Sequence, residues 1–177
     1  MKFLAMMFLS LSCAFAGGSN QLETVDYVDV NKYLGKWYEI EKIPNRFQRK
    51  CGATQANYSL RRKGDIKVVN RCITKNGSID TANGRATIAN YETNAVLEVS
   101  FFFLQRWFGG PNYYILDLAD DYSYVLVGSP SRDFLWILAR TKTLDENIIE
   151  NLKAKAETQG FDTSRMQKTP TWPSDIE

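Results

Sequence analysis

From Gly35 to Arg140 the chain is a succession of short runs of Val, Ile, Tyr, Phe and Thr, broken at fairly regular intervals by turn residues. Such runs predict strands beginning at Gly35, Ala53, Asp65, Ser78, Ala95, Asn112, Tyr122 and Asp133, with breaks such as Lys63-Gly64-Asp65 and Asn76-Gly77 between them. Eight strands in succession predict an all-β fold, an eight-stranded up-and-down antiparallel barrel. Along the third run, Ile66, Val68, Asn70 and Cys72 share one face, and Lys67, Val69, Arg71 and Ile73 share the other. Neither face is clearly polar. A barrel with an apolar lumen and a partly covered outside gives that pattern, and a two-sheet sandwich gives much the same one.

The period then changes from two to that of a helix. Ile148, Ile149, Leu152 and Ala156 form an apolar stripe, Thr143 with Glu146 three residues on reads as a capping box, and Gly160 is a stop signal. This helix is expected on the outer wall of the barrel. The expected organisation is a signal peptide over residues 1–16, a leader over 17–29, one domain over 30–170 and a Pro-containing tail over 171–177.

A length of 177 residues with 44% apolar and 13% aromatic content suits one domain with one sizeable core. Lys and Arg number 22 against 20 Asp and Glu, spread along the chain without a long run, so nucleic acid is not an expected partner. Met1-Lys2, an apolar stretch from Phe3 to Leu11 that is too short to span a bilayer, and Ala14-Phe15-Ala16 read as a signal peptide cut after Ala16. Export to the periplasm or the medium follows. The alternative is an outer-membrane anchor on Cys13, although in Ser10-Leu11-Ser12 the position three before it is Ser10 and not the large aliphatic residue that a lipoprotein signal wants there. In an oxidising compartment Cys51 and Cys72 are expected to form a disulfide across a hairpin, against the alternative of two free thiols.

The chain contains no histidine, which removes the usual general base and the commonest zinc ligand. No metal, cofactor or catalytic residue is expected. Glu39 and Glu41 alternate along the first strand and Asp120-Asp121 occupy a turn, where acidic side chains are expected to be solvated rather than catalytic. Gly109-Gly110-Pro111 lacks the lysine and the strand and helix context of a phosphate loop and marks a bend. Just before it, Phe101-Phe102-Phe103-Leu104 leads through Gln105-Arg106 into Trp107-Phe108. One reading packs Phe101 and Phe103 inward and tucks Trp107 and Phe108 over the barrel end; the other exposes Trp107 and Phe108 at the mouth as a membrane contact.

The segment Asn31-Lys32-Tyr33-Leu34-Gly35-Lys36-Trp37-Tyr38-Glu39-Ile40 resembles the lipocalin signature, in which a G-x-W motif opens the first strand. The resemblance continues through Glu41-Lys42-Ile43-Pro44, Ala56-Asn57-Tyr58-Ser59-Leu60 and Asp133-Phe134-Leu135-Trp136-Ile137-Leu138-Ala139-Arg140, closest in pattern to the bacterial and apolipoprotein D branches. The family's T-D-Y turn is only approximated by Asp120-Asp121-Tyr122. The resemblance implies that Trp37 closes the barrel floor beneath Arg140, both with structural roles. It implies lumen-lining positions for Tyr58, Asn70, Phe101, Phe103, Tyr113 and Trp136. It also implies a carrier of a fatty acid, a lysophospholipid or another small apolar ligand, with a role in membrane lipid maintenance. Two other readings stand beside it: an enzyme acting on its bound lipid through a free Cys72 thiol on the Asn70 face, and a protein that binds partners through its aromatic loop.

Overall fold

The computed structural model describes residues 21–101 and 110–176. The proposed signal segment, Cys13, Phe103, Trp107 and Phe108 lie outside the described residues.

The strands are β1 (Gly35–Lys42), β2 (Cys51–Leu60), β3 (Ile66–Thr74), β4 (Ile79–Ile88), β5 (Val96–Phe101), β6 (Tyr113–Leu118), β7 (Tyr124–Gly128) and β8 (Leu135–Ala139), each starting within two residues of the predicted point. Each pairs antiparallel with the next. The sheet closes because β1 serves two neighbours: Gly35–Tyr38 pair with β2, and Tyr38–Lys42 pair with β8. Closure leaves the eight strands no open edge and makes the fold a barrel rather than a sandwich. A short strand missed in the sequence, β9 (Gln167–Lys168), pairs with the end of β1; two residues are too few to show a period.

On β1 and β6–β8 both faces of the strands are apolar because both are covered. Inward-facing Trp37, Val68, Ile115, Val125, Val127 and Leu138 make one cluster inside the barrel. Outward-facing Ile40, Leu116, Leu126 and Ile137 make a second with Ile149, Leu152 and Ala156 of α2 (Glu146–Thr158). Asp145, not Thr143, caps α2: its side chain accepts from the Asn147 amide at 2.8 Å, and aspartate serves there at least as well as threonine. Gly160 ends the helix in the left-handed region, at φ +85°.

One irregularity turns a side chain around. Glu39 pairs opposite Leu138 while Glu41 pairs opposite Ile137, so β1 carries an extra residue at Ile40. Glu39 therefore faces the lumen, and Glu41 lies under α2, 2.9 Å from Lys153 Nζ. Neither is solvated, contrary to the expectation for acidic residues in a strand: they are 6% and 5% exposed. Each carboxylate is tolerated in that position because a lysine meets it, joined at Glu39 by Gln48 and Thr169.

A four-residue helix, α1 (Val30–Tyr33), covers one barrel end, with Asp29 accepting from the Asn31 amide at 2.9 Å. Gly35 follows at φ +96°, and the Cβ of any other residue would lie 3.4 Å from Arg140 Nη1. Beneath, Trp37 is wholly buried and donates from Nε1 to the Tyr33 carbonyl at 2.9 Å. The Arg140 guanidinium carbon sits 3.7 Å from the centroid of that indole. Its nitrogens donate to the carbonyls of Lys36 (2.8 Å), Lys32 (2.7 Å), Tyr33 (3.2 Å) and Tyr122 (3.3 Å).

At the other end, Cys51 and Cys72 are disulfide-bonded with Cα atoms 5.4 Å apart. Antiparallel pairing of β2 with β3 brings them together, Thr54 standing opposite Cys72.

Two stability predictions follow from these ties. Arg140→Ala should lower unfolding free energy in urea by about 3 kcal/mol, the sum of a buried cation–π contact and orphaned carbonyls, and Arg140→Lys should recover less than half of it, because an ammonium cannot span the same fork of acceptors. Reducing Cys51–Cys72 should cost about 3 kcal/mol in the same assay, as expected for closing a loop of this length in the unfolded chain.

Candidate functional site: the barrel lumen

Above the closed end the barrel encloses a cavity of about 390 Å³, within the range of small-ligand pockets. Of the positions expected to line it, Tyr58, Asn70, Phe101, Tyr113 and Trp136 all do. The strand register ranks them by depth. Tyr58 stands opposite Val68, Asn70 opposite Ala56, and Cys72 opposite Thr54, each pair one inward step, about 7 Å, nearer the mouth. Phe101 fits because its cross-strand neighbour is Gly84, where an added Cβ would come within 2.7 Å of the ring. Val68, Val99 and Leu138 complete apolar walls.

The floor is a cluster of phenols. Tyr113 Oη lies 2.6 Å from Tyr33 Oη and 3.2 Å from Tyr58 Oη, and the rings of Tyr33 and Tyr58 stack with centroids 5.8 Å apart. Three hydroxyls bring three donor hydrogens, and the two bonds among them use two. One O–H donor is left without a partner among the described residues. One step up, Asn70 Oδ1 is buried and has no hydrogen-bond partner either. Burial raises all three phenol pKa values well above the ordinary one; charge repulsion from an adjacent phenol adds to this, while the hydrogen bond of Tyr113 to Tyr33 and that of Tyr58 to Tyr113 offset part of it.

The mouth is held by a second polar group. Glu39 Oε1 accepts from Lys42 Nζ (2.6 Å) and Thr169 Oγ1 (2.8 Å), and its Oε2 accepts from Gln48 Nε2 (2.6 Å). Gln48 Oε1 in turn accepts from Asn45 Nδ2 (2.7 Å) and Trp136 Nε1 (3.2 Å). A 3₁₀ turn over Arg46–Gln48 is thereby tied across the opening, with Phe47 against Phe134 at 5.7 Å between centroids. Sequence reasoning missed Glu39, Phe47 and Gln48 in the lining of the lumen, and Tyr33 beneath it. Tyr33 comes from the short helix and Phe47 and Gln48 from a connecting loop, where strand alternation carries no information.

A model of the lipocalin-like domain matches residues 28–171. The chain belongs to the lipocalin family. Outer membrane lipoprotein Blc of Escherichia coli (strain K12) is 36% identical over 159 residues, 89% of this chain and 88% of that protein. Apolipoprotein D of Mus musculus is 41% identical over 149 residues, 80% and 76% of the two chains. Among solved structures, insecticyanin from the tobacco hornworm Manduca sexta superposes with a TM-score of 0.69 at 21% identity, covering 87% of this chain and 86% of its own, a likeness of fold. Membership and cavity together support the binding of a small hydrophobic ligand by this lipocalin. The disulfide holds the Cys72 sulfur, so the reading of an enzyme with a lumen thiol loses its nucleophile.

The phenol cluster of this lipocalin has a spectroscopic consequence. Its folded-state pKa values exceed the unfolded one, so the stability these groups contribute is complete below about pH 10 and is lost as pH rises beyond that toward the raised values. In an alkaline titration followed by phenolate absorbance, Tyr33, Tyr58 and Tyr113 should stay un-ionised until the barrel unfolds. Full ionisation of all nine tyrosines in a still-folded protein, checked by circular dichroism, contradicts the buried cluster.

Proposed function

We propose that this lipocalin stores or transports one small amphiphile, a fatty acid, lysophospholipid or similar membrane lipid, with its chain along the lumen. The observation that carries the reading is the combination of apolar walls with one unspent donor on the floor and one unspent acceptor at Asn70. An acyl chain leaving water for Val68, Val99, Phe101 and Leu138 gains about 25 cal/mol per Å² of apolar surface covered. Its polar end then meets a floor that offers one hydrogen and accepts one. A hydroxyl or a carboxyl group can engage that pair, with the Asn70 amide adding N–H donors one step up.

The apolar signal-like start and the names of two relatives, an outer membrane lipoprotein and an apolipoprotein, support export and a role in membrane lipid maintenance. In this reading the chain is cut after Ala16 and released, and anchoring through Cys13 is the alternative. Tyr58, Asn70, Phe101, Tyr113 and Trp136 contact the ligand, and Trp37 and Arg140 only shut the floor.

Native mass spectrometry of the protein purified without detergent, then titrated with oleate and lysophospholipid, tests the proposal. The expected result is one lipid per chain with quenched tryptophan emission, chiefly from Trp136. Tyr113→Phe, which removes the central hydroxyl, should weaken both oleate and oleyl alcohol about tenfold, as losing a buried hydrogen bond does. No uptake of either lipid sinks the reading; uptake unaffected by Tyr113→Phe places the polar end away from the floor.

A further inference from the structure

The net charge of +2 conceals a segregation that the fold makes spatial. Between residues 46 and 85 lie ten Lys and Arg but only two Asp, a net of +8, so the rest of the chain nets −6. That basic stretch is β2, β3, β4 and the loops at their ends. In the closed sheet these three strands stand across the barrel from β6, β7 and β8, the strands covered by α2 with its Glu146, Glu150 and Glu157. Lys153 and Lys155 on the same helix offset part of that charge, so the barrel has a strongly basic wall opposite a weakly acidic one.

Much of the basic wall is exposed, although Trp172 of the C-terminal segment covers Arg71, its ring centroid 5.8 Å from that guanidinium. Register places Lys67 beside Arg85, and next to them the β2–β3 turn carries Arg61, Arg62 and Lys63, all exposed. Asp65 is the one carboxylate there and lies between Arg61 (3.4 Å) and Arg85 (3.8 Å), while Arg62, Lys63 and Lys67 have no ion-pair partner among the described residues. Toward the mouth, Arg49, Lys50 and Lys75 are exposed, the Lys75 amide bonding the Lys50 carbonyl. Aliphatic side chains stand at both ends of the wall: Leu60 is 55% exposed and Ile79 42%.

The geometry points to side-on docking of the β2–β4 wall against an anionic lipid bilayer. Cations spread along one wall match a negatively charged plane, and exposed Leu60 and Ile79 can enter the headgroup region beside them. The acidic wall is then held away from the surface by the full width of the barrel, beyond a Debye length. The mouth rim with Arg49, Lys50 and Lys75 comes to headgroup level, where a lipid can enter or leave. This inference stands on surface charge and is independent of what the lumen binds.

Co-sedimentation with vesicles of phosphatidylcholine, with and without about 30% phosphatidylglycerol, tests it at low and high salt. Binding should require phosphatidylglycerol and fall several-fold between about 50 and about 300 mM salt. The double change Arg62→Glu with Lys63→Glu should reduce partitioning about tenfold. The control double Arg165→Glu with Lys168→Glu, equal in charge but outside the wall, should change it less than twofold. Circular dichroism and the thermal midpoint report that both variants fold. Equal losses in the two doubles, or partitioning indifferent to phosphatidylglycerol, overturn the proposal. Tighter binding to duplex DNA than to the charged vesicles at the same salt also overturns it, assigning the wall to nucleic acid.

Discussion

The lumen exists because one end of the barrel is shut, and the contact that shuts it is Arg140 over Trp37. An indole wholly out of water and a guanidinium 3.7 Å above it tie the last barrel strand to the first. The same guanidinium gathers carbonyls of Lys32, Tyr33, Lys36 and Tyr122, fixing the short helix and the β6–β7 turn to the floor. Planar geometry lets one side chain do both: its face lies on the ring and its edge donates in the plane. Remove this plug and the phenols above it have no base to stack on, since Tyr33 lies between Trp37, at 5.1 Å, and Tyr58.

Polar groups in the lumen fall into two sorts. Glu39 near the mouth is fully met by Lys42, Thr169 and Gln48, which stabilises the loop position and leaves little to offer a ligand. The phenol floor and Asn70 are incompletely met, and in a buried site an unmet donor or acceptor carries a cost that a ligand can remove. Selectivity in such a pocket comes from those few groups, while most of the affinity comes from apolar area. The disulfide between Cys51 and Cys72 braces the hairpin that carries Tyr58 and Asn70, so it steadies their spacing without taking part in contact chemistry.

Much of the fold was legible in the chain. Turn residues at regular spacing placed every barrel strand within two residues, because Gly and Asn in tight turns and β-branched residues between them are local requirements. The stripe Ile149, Leu152, Ala156 placed the helix on the outer wall for the same kind of reason, a period that only one backbone satisfies. The lining positions Tyr58, Asn70, Phe101, Tyr113 and Trp136 follow from alternation along strands once the fold is known. The helix cap was misplaced by two residues, since Thr143 and Asp145 are both acceptable caps and only the path of the preceding chain chooses between them.

What the sequence determined by itself is therefore periodicity: strands, turns, helix, and the signature around Trp37 and Arg140. Tertiary structure alone decided whatever depends on where separate segments meet. The bulge at Ile40 reversed the parity between Glu39 and Glu41, which a count by twos cannot see. Tyr33, Tyr58 and Tyr113 converge from a helix and two strands far apart in the chain, leaving one hydrogen over. A chain of net charge +2 became a barrel with one basic wall, because closing eight strands sets three consecutive ones opposite the helix. Local patterns obey short-range sterics and solvation, whereas convergence, parity and charge segregation are properties of closure, which no window of sequence contains.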